Sequence, residues 1–122
     1  MHAVDPAMFV TFERETLGVL DPMLRSWALQ VMLSGLPYEA RQAHRDRALR
    51  AAAGFLPADL SLTERARQLH AALSAARRRT RPAHPDLNSL EGCLAYALLA
   101  RDTVPKWRQL FNVLEGMQFP CM

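Results

Sequence analysis

Arginine is the residue type with which this chain is best equipped to do chemistry. Residues 37–81 hold ten arginines against Glu39, Asp46, Asp59 and Glu64, whereas residues 1–36 and 82–122 are each slightly acidic. A guanidinium neutralises charge and makes paired hydrogen bonds to carboxylate or phosphate, and recognition of such a partner needs several of them on one surface. Arg41, Arg45, Arg67, Arg77, Arg78 and Arg81 are the candidates for contact with an acidic protein or a nucleic acid. The competing reading is a solvated face. Arginines near a helix C-terminus complement the macrodipole, consecutive residues such as Arg77, Arg78 and Arg79 point about 100° apart, and an arginine-rich, lysine-poor composition also arises from codon usage alone.

Other chemistry finds fewer residues. His44, His70 and His84 have no helical i, i+4 histidine partner, and no Cys-x-x-Cys or His-Glu-x-x-His pattern occurs, so neither a metal nor another cofactor is expected. His70 borders an apolar stripe and reads as a half-buried packing residue, while His84, between two prolines, reads as exposed. Cys93 is a nucleophile only if a base reaches it; the plainer expectation is a small buried thiol. Glu13, Glu15, Glu91 and Asp102 are expected on solvated faces and form no recognisable acid–base couple. A small enzyme using Cys93 or His70 is therefore a remote alternative.

The apolar residues say more. Residues 22–34 are apolar nearly all round (Met23, Leu24, Trp27, Ala28, Leu29, Val31, Met32, Leu33), which means burial at the centre of a bundle or cover by a partner. A later segment places Tyr96 and Leu99 outside its stripe. Six methionines add adaptable apolar surface. Trp27, Met32, Tyr96 and Leu99 are the candidates for an apolar interface if that surplus is not core.

The elements that must position these groups are helical. Ala, Leu and Arg dominate and β-branched residues are sparse. Asp5-Pro6 and Asp21-Pro22 each pair an N-cap with proline at the first helical position, predicting helices over 6–19 and 22–34. A third spans about 38–53 with Gly54 as a left-handed C-cap. Ser61-Leu62-Thr63-Glu64 fits a capping box opening a fourth to about Arg79, with Leu62, Ala66, Leu69, Leu73 and Ala76 as its stripe. Residues 80–86 are proline-broken linker. A fifth helix follows Asp86 to about Arg101, aligning Leu87, Leu90, Leu94, Ala97 and Leu98. A sixth covers 104–115 with Trp107, Leu110, Phe111 and Leu114 aligned, closed by Gly116. The tail from Phe119 to Met122 reads as loosely held.

The expected architecture is all-α: a compact single-domain bundle of about six short helices, mostly antiparallel, with the 80–86 loop between an N-terminal four-helix part and a C-terminal pair. A helix-turn-helix over 39–79 fits poorly, because the 54–60 connection is long and no polar residue stands out as a base reader. Two cysteines, no leader-like N-terminus and no apolar run of membrane length point to a soluble, cytoplasmic protein. The functional expectation is a non-enzymatic helical interaction protein: an adaptor, chaperone or inhibitor of a larger protein or nucleoprotein machine, of the kind phages and mobile elements encode. Its partner would be a protein, acidic or nucleoprotein, with a homodimer as a further option. The alternative is a nucleic-acid-binding regulator using the arginine-rich middle third.

Overall fold

The computed structural model describes residues 4–16, 18–79 and 84–115. His2, Arg81 with the 80–83 part of the linker, Gly116 and the tail containing Cys121 lie outside the described residues. Six helices and no strand occur among those described: α1 (Pro6–Glu15), α2 (Pro22–Ser34), α3 (Tyr38–Ala53), α4 (Leu62–Arg77), α5 (Leu90–Ala100) and α6 (Trp107–Leu114). None is long and apolar enough to cross a membrane.

Local chemistry starts most of these helices where the sequence places them. Asp5 accepts from the Ala7 N–H at 2.9 Å, Asp21 from Met23 and Leu24 at 3.1 and 3.2 Å, and Ser61 from Glu64 at 3.2 Å. Several ends differ. α1 stops at Glu15 rather than 19: Thr16 closes its last turn onto the Phe12 carbonyl, and Gly18, at φ +77°, turns the chain towards α2. α5 is capped by Ser89, not Asp86. The Asp86 carboxylate instead accepts from the Asn88 N–H and the Ser89 hydroxyl, closing a turn. That turn lies on α5 at Gly92, where any Cβ would run into the Asp86 carboxylate. α6 begins at Trp107, three residues later than expected, after the non-helical Val104-Pro105 step.

The end of α3 is a further correction. Gly54 has φ −68° and ψ −17°, ordinary right-handed backbone, not the left-handed cap expected. The last carbonyls are met by tight backbone turns, Gly54 N–H on Ala51 O at 3.1 Å, Phe55 N–H on Ala52 O at 3.0 Å and Leu56 N–H on Ala53 O at 3.2 Å. The Arg65 guanidinium of α4, 2% exposed, clamps the turn by donating to Ala53 O at 2.8 Å and Pro57 O at 2.9 Å. A cation at a helix C-terminus also complements the dipole.

The helices assemble around α5, which packs against α2, α3 and α4. Its residues Gly92 to Ala97, and Ala100, are all buried, and the small Gly92, Ala95, Ala97 and Ala100 let neighbouring backbones approach closely. α3 runs antiparallel to it, with Arg47 beside Tyr96 at one level and Tyr38 under the Arg101 guanidinium at another. α4 and α6 are likewise antiparallel: His70 Nδ1 donates to Pro105 O at 2.9 Å, and Arg67 lies over the Trp107 ring. The expected α4 stripe forms the core face there, with Ala66, Leu69 and Leu73 buried against Leu110 and Leu114 in the same core.

Candidate functional site

The helix that is apolar nearly all round, α2, is not the central one. At 100° per residue, Arg25, Leu29 and Leu33 share one side and are buried. Met23, Leu24, Trp27 and Val31 share a different arc about 100° wide and are 73%, 50%, 62% and 51% exposed. The sole charge of α2 is turned inward: Arg25 donates to Glu13 O at 3.0 Å, Thr16 Oγ1 at 3.3 Å and Pro85 O at 3.3 Å, tying α1 and the 84–89 segment to α2. The outer arc thus carries no ionisable group.

Beside this arc a cleft of about 500 Å³ opens between α2, the end of α4 and α5. Trp27, Ser26 and Gln30 form one wall, Ala95, Leu98 and Leu99 the apolar floor, and Arg77, Arg79, Glu91 and Asp102 the rim. Arg77 pairs with Asp102 at 3.2 Å and Arg79 with Glu91 at 3.8 Å. All four are exposed, so each pair contributes little and can exchange for a partner's charges at small cost. Three residues singled out from sequence, Trp27, Arg77 and Leu99, therefore meet at one place although they come from three helices.

The remaining candidates scatter. Tyr96 is 1% exposed and belongs to the core, and Met32 is half-buried against it, so neither contributes to an outer apolar surface. Arg45 is 8% exposed and held by Asp46 at 3.2 Å; burial withdraws it from any phosphate-tracking face. Arg41 is half-buried on α3. Arg67 and Arg78 are exposed, Arg67 against Trp107, which Arg108 also approaches at 5.6 Å. Arg78 shares with His70, Ser74 and Arg77 a second open hollow of about 520 Å³ on the other side of Arg77.

Glu13 corrects the expectation of a solvated carboxylate. It sits inside the fold, accepting both from Arg47 Nη2, at 2.8 and 2.9 Å, and from the Tyr96 hydroxyl. Burial, reinforced by the hydrogen bond and charge of Glu13, pushes the Tyr96 phenol above its ordinary range, so it stays protonated. His44 lies edge-on to Phe9 at 4.7 Å, and burial, with Arg47 nearby, lowers its pKa. Cys93 is buried, and burial with the Asp86 charge pushes its thiol up to about 11, which leaves little thiolate at neutral pH. Among the described residues no group of three or more His, Cys, Asp or Glu converges as metal ligands do.

Sequence reasoning passed over Arg25 and Arg65 as structural residues, although a signal was present. Each falls inside a buried helical stripe, Arg25 four residues before Leu29 and Arg65 between Leu62 and Leu69, where a solvated arginine does not belong. Glu13 had no such local mark. No known protein family matches this chain, and no curated protein or solved structure is detectably similar to it.

Proposed function

We propose that this chain is a non-enzymatic helical interaction protein, an adaptor, chaperone or inhibitor that holds a larger protein or nucleoprotein partner at the cleft beside the apolar outer face of α2. The observation behind this reading is the uncharged apolar arc of Met23, Leu24, Trp27 and Val31, left in water by a domain that has another helix for its centre. Contiguous apolar surface of this kind costs free energy until something covers it. The cleft floor of Ala95, Leu98 and Leu99 suits a bulky apolar anchor, and Arg77 and Arg79 on the rim suit carboxylates flanking it. Apolar contact would supply most of the affinity, and the rim charges would guide encounter and orientation.

The test is affinity capture from the native cell with the tagged chain, split into nuclease-treated and untreated halves, beside a Gln30→Trp variant. Gln30 is an exposed wall residue, so tryptophan there fills the cleft without touching the core. A stoichiometric protein that survives nuclease and is lost with Gln30→Trp supports the reading. Capture indifferent to Gln30→Trp removes the cleft from it.

A second reading, a nucleic-acid-binding regulator, draws on one observation: Trp107 is flanked by the Arg67 and Arg108 guanidiniums at 4.8 and 5.6 Å, an arrangement suited to stacking and phosphate contact. It requires material that disappears with nuclease, and binding that weakens with salt and with charge reversal at Arg67 and Arg78.

A further inference from the structure

We infer that the ridge Met23–Trp27–Val31 on α2 docks a second copy of this chain, the two helices lying antiparallel about a two-fold axis at Trp27. This rests on the reading of the α2 outer face as an interaction surface and names the occupant of its ridge.

The spacing of the ridge is self-complementary. Its residues are four apart and symmetric about Trp27, so antiparallel apposition sets Trp27 against its own counterpart and Met23 against Val31 of the other copy, twice over. An isologous interface needs this kind of reciprocity. Charge points the same way. A surface that meets itself must avoid facing like charges, and the exposed arc has none because Arg25 is consumed inside the fold by carbonyl and hydroxyl oxygens. Area fits a weak, reversible pair. Met23, Leu24, Trp27 and Val31 leave on the order of 500 Å² per copy in water, so pairing removes at most about 1,000 Å² in all, the size of a transient interface. The cleft stays available. Of the three wall residues only Trp27 turns into the pairing; Ser26 and Gln30 lie beyond the Met23 edge of the arc, so a dimer would carry two clefts flanking its axis.

The experiment is sedimentation equilibrium of the full chain over on the order of 1 to 200 µM, an affinity range expected of an interface near the lower size limit. Alongside it, Trp107→Phe makes fluorescence report on Trp27 alone. Reversible dimerisation, with Trp27 emission moving to the red on dilution, is the expected result. Val31→Lys and Met23→Lys change exposed residues and leave the fold intact by circular dichroism. Each should raise the dimer Kd by more than about tenfold. A wild-type chain that is monomeric throughout, or a dimer indifferent to Val31→Lys, overturns the inference. The two readings fail separately. Monomeric wild type that still captures a protein through the cleft sinks the dimer alone, whereas a dimer that captures nothing sinks the partner reading alone.

Discussion

Replacing Arg65 with methionine keeps most of the aliphatic stem and removes the guanidinium, which isolates what the charge contributes to the α3–α4 junction. The native group is almost wholly buried and donates to Ala53 O at 2.8 Å, to Pro57 O at 2.9 Å and, at the limit of hydrogen bonding, to Leu56 O at 3.5 Å. A hydrogen bond from a charged donor contributes about 1.5–3 kcal/mol. Removing two good ones leaves the Ala53 and Pro57 carbonyls with only their longer backbone donors, Leu56 N–H at 3.2 Å and Leu60 N–H at 3.4 Å, and relief of the buried charge returns part of that loss. A net destabilisation of about 2–4 kcal/mol follows, or roughly 10 °C in Tm for a chain of this size. Urea unfolding followed by far-ultraviolet circular dichroism measures it directly. Arg65→Lys should recover only part of the loss, since one ammonium cannot span carbonyls that the fork of two nitrogens reaches. A loss under about 1 kcal/mol for Arg65→Met, or Lys performing as well as Arg, would refute the idea that this side chain caps α3.

Two further outcomes come from the interior polar cluster. Tyr96→Phe removes the hydroxyl that donates to Glu13 and accepts from Arg47, and should cost about 1–2 kcal/mol in urea unfolding. A cycle with Glu13→Gln should then be non-additive, and strict additivity would mean that Tyr96 and Glu13 do not act together. His44 has a folded pKa below its ordinary 6.5, from burial first and then Arg47, with Glu13 opposing. The unfolded chain therefore takes up the proton first. Its contribution to stability is full above that value and falls as the pH drops through it, levelling off once the folded group also titrates. The difference in stability between wild type and His44→Gln should shrink over that window; a difference that stays constant with pH would contradict a buried neutral imidazole.

Local signals carried most of the secondary structure. Asp5, Asp21 and Ser61 cap their helices within three residues of their own backbone, and nothing distant is needed for that. The α3 span of 38–53, the α4 stripe through Ala66, Leu69 and Leu73, the buried Cys93 thiol and the half-buried His70 were legible for the same reason. Where a side chain from elsewhere intervenes, the local rule fails. Gly54 is not left-handed: its N–H returns to Arg50 O and Ala51 O from right-handed backbone, and the turn that follows is held by Arg65, twelve residues from Ala53, a contact no local pattern shows.

By itself, then, the sequence determined an all-helical chain, the starts of most helices and the faces on which α4 and α6 pack. It also showed two segments, residues 22–34 and the helix carrying Tyr96 and Leu99, too apolar to be ordinary surface helices, without saying which was core. The tertiary structure decided that. α5, lined with Gly92, Ala95, Ala97 and Ala100, admits neighbours on its flanks, while α2 buries one side and leaves the other in water. It also decided which arginines are free to meet a partner, drawing Arg25, Arg45 and Arg65 inside and bringing Arg77 to the same cleft as Trp27 and Leu99. A capping oxygen reaches only a few residues along its own chain. Burial and convergence depend on which elements pack together, so they exist only once the helices have docked.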